Sequence, residues 1–187
     1  MDEFLDKVKK FALLEQSRTQ MPLLPHINIS AEVGQLFATK FKANSQVVQA
    51  GTYLMDCMIG EALKQNRLKD HIEMSANKTS ELILSSNISK NDAENIKYCV
   101  LEHHGVTKFY SIESEICCNA DCYRSVSIKG FSYAIRFLRD MPFEELIELL
   151  KNKVEEKWQA LTLDMCKREI EPQYKIIKNY LSYLSKQ

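Results

Sequence analysis

Glycine and proline are scarce in this sequence, which has five Gly and four Pro among its 187 residues. Sandwiches and barrels need many tight turns, and those turns depend largely on these two residue types. Long helices joined by few connections need far fewer of them. The sequence therefore predicts an all-α fold, a compact bundle of many helices.

Length, charge and cysteine use restrict the function classes. With 187 residues, the chain is long enough for one domain and short for two, so we expect a single domain over residues 1–187. Its 25 basic and 25 acidic residues cancel, and this balance gives no indication of a nucleic-acid groove. We find no apolar run near the roughly 20 residues of a membrane span and no apolar signal-peptide core. We therefore expect a cytoplasmic protein whose six cysteines are free thiols.

Apolar periodicity predicts two helices in the first third of the chain after an N-terminal helix. One begins near residue 25 with His26 in its first turn. The next is capped by Asn44 or Ser45 and continues through Leu63 as one buried element. Asp56 is expected inside that helix.

The middle of the chain has clear capping signals. A helix over about residues 70–84 places His71 at its start, and Ser89 with Asp92 forms a capping box for the helix that follows. That helix ends at His103 and His104, immediately before a glycine suited to a left-handed position. Three histidines are therefore predicted at helix ends.

The C-terminal part continues the helical pattern. Asp121 is expected in the middle of a helix, and Pro142 begins another that extends to about residue 163. Pro172 is expected to separate off a last amphipathic helix. The alternating charges over residues 151–157, Lys157 among them, predict a solvated helix face.

Three groups of residues are candidates for chemistry: the histidines, Asp56 and a group of cysteines. A lone histidine at a helix end is usually a cap or a hydrogen-bonded core residue, but here all four lie near helix ends. Asp56 is flanked by apolar residues, and a buried carboxylate has to be paired or ligated. Cys117, Cys118 and Cys122 lack the spacing of a structural zinc site, so small buried apolar residues are the favoured interpretation.

The order of these residues resembles the HD superfamily of metal-dependent phosphohydrolases. The resemblance covers about residues 20–140, with flanking helices over 1–19 and 141–187, and implies an HD-domain-like bundle with a C-terminal helical extension. The matching segments are Pro25-His26-Ile27, Asp70-His71-Ile72, Glu102-His103-His104-Gly105 and Ala120-Asp121-Cys122, together with the position of Asp56.

One position departs from the family pattern. The family carries His immediately before the central Asp, whereas this chain has Met55 before Asp56. A thioether is a soft, neutral and weak ligand for the metals such sites usually hold. Cys57 replaces it poorly if the segment is helical, because adjacent residues point about 100° apart.

The resemblance implies one or two divalent ions, with Fe, Mn, Zn, Ni and Co all suited to imidazole and carboxylate ligands. It places His26, Asp56 and Asp121 around a first ion. Asp56 would bridge to a second ion, whose further ligands are His71, His103 and His104. Because Met55 weakens the first position, the second has the better ligand set.

The implied reaction is hydrolysis of a nucleotide or another small phosphoester by metal-activated water, with Asp56 as the catalytic residue. Arg124, one turn after Asp121, is the candidate for neutralising the substrate phosphate, while Lys78 and Lys129 are more simply solvated charges. The other function class left open is a catalytically silent helical module for binding or regulation, which Met55 favours. Faces of the first and last helices could pair in a homodimer.

Overall fold

The structure is a computed structural model that describes residues 1–185; residues 186–187, the end of the predicted C-terminal extension, lie outside the described residues. The described chain is helical, with no strand between residues 1 and 185. A short 3₁₀ helix over Leu68–Asp70 precedes α5. The α-helices are α1 (Asp2–Thr19), α2 (Leu24–Phe41), α3 (Ser45–Leu54), α4 (Ile59–Lys64), α5 (His71–Leu84), α6 (Lys90–Leu101), α7 (Ile112–Val126), α8 (Ile128–Phe137), α9 (Phe143–Gln159) and α10 (Asp164–Leu184).

The predicted caps account for several helix starts. The side chain of Asn44 accepts hydrogen bonds from the first turn of α3, and the hydroxyl of Ser89 accepts one from the Asp92 N–H at the start of α6. Ser111 and Ser114 form a reciprocal capping box at the start of α7. These caps satisfy backbone N–H groups that have no partner within the helix. The predicted all-α fold is confirmed.

Two predicted helix boundaries are wrong. The continuous helix expected through Leu63 is interrupted, because α3 ends at Leu54 and α4 begins at Ile59. Pro172 does not separate two helices but lies inside α10. Proline has no N–H to donate to the Arg168 carbonyl one turn earlier. Both residues are exposed, so water can donate to that carbonyl instead. Outward-facing proline therefore does not end this helix.

Helix α7 lies at the centre of the bundle and packs against α2, α3, α6, α8, α9 and α10. Gly51 of α3 lets this helix approach α6 and α7 closely. A Cβ added at Gly51 of α3 would lie 2.5 Å from the Cβ of Cys99. The six cysteines are all free, as the sequence predicts, and all are buried, as the sequence also predicts for Cys117, Cys118 and Cys122. Between residues 1 and 185, no helix is both long enough and apolar enough to cross a membrane.

Candidate metal centre

Asp56 lies in the turn between α3 and α4, not within a helix. The Cys57 N–H donates to the Leu54 carbonyl (3.1 Å), and the Met58 N–H leaves the helical pattern to donate to the Ser75 hydroxyl (3.2 Å). The side-chain bond to α5 therefore replaces a helical bond and keeps the turn open. Asp56 is only 3 % exposed, so its carboxylate is held inside the bundle.

His71 reaches the same point from the start of α5. Its Nδ1 lies 2.7 Å from the Leu68 carbonyl in the 3₁₀ helix, and a carbonyl can only accept, so Nδ1 carries the proton. In the neutral ring, Nε2 then has a free lone pair. That atom lies 3.5 Å from Asp56 Oδ1.

His103 is arranged in the same way in the turn that follows α6. Its Nδ1 donates to the Val100 carbonyl (2.7 Å), and its Nε2 lies 3.3 Å from Asp56 Oδ1. His104 follows, and the turn continues through Gly105 with φ of 96°. The left-handed glycine lets adjacent histidines leave the helical path, as predicted. The His103 and His104 rings meet edge to face with centroids 4.4 Å apart.

Asp56, His71, His103 and His104 form a cluster in which one ligand atom from each residue lies within 4.8 Å of all the others. Three of these atoms, Asp56 Oδ1, His71 Nε2 and His103 Nε2, are buried and have no hydrogen-bond partner among residues 1–185. All three are lone-pair donors when the imidazoles are neutral, so they repel each other unless a cation lies between them. A divalent transition metal fits this nitrogen and oxygen donor set.

Backbone carbonyls on the far side of the rings are typical of metal-binding histidines. Such hydrogen bonds fix the tautomer and the ring orientation, and they increase the basicity of the ligand nitrogen. Burial, together with nearby His103 and Lys157, lowers the pKa of His104 to about 3. His104 is therefore neutral at physiological pH and available as a ligand.

On its other side, Asp56 faces a buried ion-pair network. Asp56 Oδ2 and Asp121 Oδ1 both contact Arg124 Nη2, the second at 2.5 Å. Lys157 Nζ lies 2.5 Å from Asp121 Oδ2. Burial alone would raise the pKa of both carboxyl groups, but the nearby cations, Arg124 foremost, hold the pKa of each below its usual range. Both aspartates are therefore ionised.

His26 lies near this network but outside the four-residue cluster. Its Nε2 lies 2.9 Å from the Gly130 carbonyl, so this nitrogen carries a proton and donates it. Burial, and then the charge of Arg124, lowers the pKa of His26. Asp121 is also outside the cluster. The structure thus brings together the ligands predicted for the second ion. The residues predicted for the first ion are engaged instead, His26 in a backbone hydrogen bond and Asp56 and Asp121 in ion pairs.

Lys157 is the residue of this region that sequence reasoning missed. The prediction that it belongs to a solvated face is wrong, since it is 1 % exposed. Its spacing holds the signal: it follows Leu150 by seven residues and Val154 by three, which places it on the buried stripe of α9. By contrast, Lys129 is exposed and Lys78 pairs with Glu81, as expected of solvated charges.

The fold and the cluster together define an HD-like helical protein with a candidate metal centre of three histidines and one aspartate. Solved structures share this fold over more than nine-tenths of their length. The Bacillus subtilis protein YpgQ superposes with a TM-score of 0.73 at 16% identity, covering 98% of this chain and 95% of that chain. YpgQ in complex with ADP gives a TM-score of 0.70 at 17% identity, with 98% and 95% coverage.

A predicted HD superfamily hydrolase from an uncultured Thermotogales bacterium gives a TM-score of 0.70 at 14% identity, covering 97% of this chain and 92% of that chain. These similarities confirm the HD-like fold. No protein-family model matches the sequence, and no curated protein matches it either.

Proposed function

We propose that the protein is a metal-dependent phosphohydrolase that acts on a nucleotide or another small phosphoester. The observation that carries the proposal is the convergence of Asp56 Oδ1, His71 Nε2 and His103 Nε2 as buried atoms without hydrogen-bond partners in the described part of the chain. A polar core built only for stability would pair these atoms with donors. The ADP bound to YpgQ makes nucleotides the first substrate class to test.

The chain's own residues would do most of the work of positioning. His71 and His103 present their Nε2 lone pairs because each donates its Nδ1–H to a carbonyl. Asp56 Oδ1 supplies the negative charge that holds a cation in this buried place. A bound divalent ion would polarise a phosphoryl oxygen and lower the pKa of water beside it. Arg124, whose five N–H donors exceed its two carboxylate contacts, would donate hydrogen bonds to the phosphate.

The test begins with protein purified without chelators or an affinity tag. Elemental mass spectrometry gives the ions per chain, and phosphate release is measured on nucleoside mono-, di- and triphosphates with Mn, Fe, Co, Ni or Zn added. We expect bound metal and metal-dependent release. No metal after reconstitution with each ion would contradict the proposal.

Variants assign the ligands. His71→Ala and Asp56→Ala should each lose the ion and the hydrolysis, because the remaining ligands no longer offset dehydration of the metal. Asp164→Asn removes an exposed carboxylate at the start of α10 and should change neither. Unchanged metal content in both ligand variants would refute the assignment. His26→Ala should matter less, because its Nε2 is already bonded to a carbonyl.

The second candidate function is a catalytically silent helical module, and Met55 favours it. Met55 is 1 % exposed at the end of α3, where the family pattern has its histidine ligand. A module of this kind would hold an ion, or only a polar core, and release no phosphate from any substrate tested. If Met55→His then switched on hydrolysis, the natural chain would be a degenerate relative of the enzymes.

A further inference from the structure

We propose that Arg124, supported by Lys157, takes the place of one of the two metal ions, so that each chain holds a single ion. The position it takes is the one that the resemblance assigns to His26, Asp56 and Asp121. The inference rests on the proposed function only in placing the remaining ion at the four-residue cluster. The chain would supply one cation itself, the Arg124 guanidinium, and would bind the other as a metal ion.

The first argument is the position of the guanidinium. A single nitrogen, Arg124 Nη2, contacts both Asp56 Oδ2 and Asp121 Oδ1, and so bridges the two carboxylates as a shared cation would. The side chain of Arg124 is 11% exposed and those of the aspartates are 4% and 0% exposed. The bridge is therefore largely buried and is not a loose surface ion pair.

The second argument is charge. Asp56 and Asp121 contribute two negative charges, and Arg124 and Lys157 contribute two positive ones. A divalent ion between the two aspartates would lie directly beside both of these cations and be repelled by them, which is costly in the buried core. Both oxygens of Asp121 already contact cations, Oδ1 contacting Arg124 and Oδ2 contacting Lys157.

The third argument is the loss of neutral ligands from the same place. Met55 offers a thioether where the family pattern has an imidazole, and His26 has committed its Nε2 proton to Gly130. The carboxylate oxygens at this position face a cation instead, since Asp56 Oδ2 and Asp121 Oδ1 both contact the Arg124 guanidinium. Among residues 1–185, Asp56 Oδ1, His71 Nε2 and His103 Nε2 of the cluster have no hydrogen-bond partner, and Asp121 Oδ1, which has none either, lies 2.5 Å from Arg124 Nη2.

Asp56 separates the two cations by using one oxygen for each. Oδ2 contacts Arg124, while Oδ1 faces His71 and His103. The replacement of a histidine by Met55 is thus matched by an arginine that neutralises the same carboxylates. A guanidinium carries charge but binds no water as a Lewis acid, so it would fix phosphate without activating a nucleophile.

The test counts ions by elemental mass spectrometry after reconstitution with Mn, Fe, Co, Ni or Zn and removal of excess metal. We expect one ion per chain in the wild type and in Met55→His, where Arg124 still occupies the position. Met55→His combined with Arg124→Ala should bind two, because the histidine and one oxygen of Asp121 become available. The matched control, Met55→His with Arg136→Ala, removes an exposed arginine of α8 and should keep one.

Melting curves with and without ions accompany each count. Without metal, the double variant Met55→His with Arg124→Ala should melt at a lower temperature than the wild type. Adding metal should raise its melting temperature by more than it raises that of the wild type. Combining Met55→His with Arg124→Lys instead keeps a positive charge and should return the count to one. A folded Arg124→Ala double variant that still binds one ion would overturn the proposal.

The other outcomes separate this inference from the proposed function. Two ions in the wild type or in Met55→His alone would overturn the inference and leave a phosphohydrolase possible. One ion, lost in His71→Ala but accompanied by no hydrolysis, would overturn the proposed function and support the inference. No ion at all would overturn both. If Arg124→Ala variants do not fold, the wild-type and Met55→His counts decide: one ion in both supports the inference.

Discussion

Replacing Lys157 with methionine should remove the positive charge of a buried ion pair while keeping most of the side-chain volume. Lys157 is 1 % exposed and its partner Asp121 is fully buried. Breaking one partner of such a pair costs about 3–5 kcal/mol, because the other charge is left without compensation in the core. Arg124 still contacts Asp121, so we expect the lower end, about 3 kcal/mol.

For a chain of this size, that loss corresponds to a melting temperature lower by about 6–12 °C. Urea unfolding followed by circular dichroism at pH 7 would give the free energy directly. The matched control is Lys153→Met, one turn earlier on α9, where an exposed lysine lies 3.0 Å from Glu156. An exposed pair of this kind contributes about 0–1 kcal/mol.

A double-mutant cycle completes the argument. In the background of Asp121→Asn, Lys157→Met should cost much less than in the wild type, because the charge that needed compensation has gone. The effect of the wild-type pair should also shrink at low pH: the pKa of Asp121 is lowered in the fold, so its contribution is present above the unfolded pKa and is lost as the pH falls. Equal free-energy losses for Lys157→Met and Lys153→Met would refute the reasoning.

Three further results are expected from the same measurements. Gly51→Ala should destabilise the fold by about 1–3 kcal/mol in urea unfolding, because its Cβ would lie 2.5 Å from that of Cys99; a neutral effect would contradict the close approach of these helices. Ser75→Ala should cost about 1 kcal/mol and weaken metal binding in calorimetry, since it removes the acceptor that holds the turn between α3 and α4. Ser80→Ala, which loses only a bond within α5, should leave metal affinity unchanged. The pKa of His104 is lowered to about 3 in the fold, whereas an unfolded histidine titrates near about 6.5. Between these two pH values the ion-free fold binds fewer protons than the unfolded chain. Its melting temperature should therefore fall as the pH is lowered through that range. His104→Gln should make this dependence shallower, and an unchanged slope would count against a buried neutral imidazole.

Local signals in the sequence predict much of the helical framework. Ser89 and Ser111 occupy N-cap positions, and Pro142 precedes the first residue of α9. These residues act on backbone groups within one turn, so their effect can be read from neighbours along the chain. The family resemblance carried by the order of the histidines likewise implies the cluster around Asp56, and the variants above test which of its residues bind metal.

Features that depend on distant partners could not be predicted in this way. The turn at Asp56 requires Ser75, which lies on another helix, whereas its own apolar neighbours favour a continuous helix. Lys157 is buried because Asp121 of α7 compensates its charge, and composition alone places a lysine in water. The bridging position of Arg124 similarly needs two carboxylates from separate elements.

Contacts from the C-terminal segment bear on where this protein can be divided. Along the chain, residues 141–185 follow the motif region as an appendage, but in space α9 brings Lys157 to Asp121, and Asn119 of α7 accepts hydrogen bonds from the N–H groups of Thr162 and Leu163. A chain ending at residue 140 would expose the apolar side of α7 and leave the Asp121 carboxylate without Lys157. We therefore infer that the smallest folding unit able to carry the centre includes its own C-terminal helices. A boundary drawn around the recognisable motifs would omit a wall of the site.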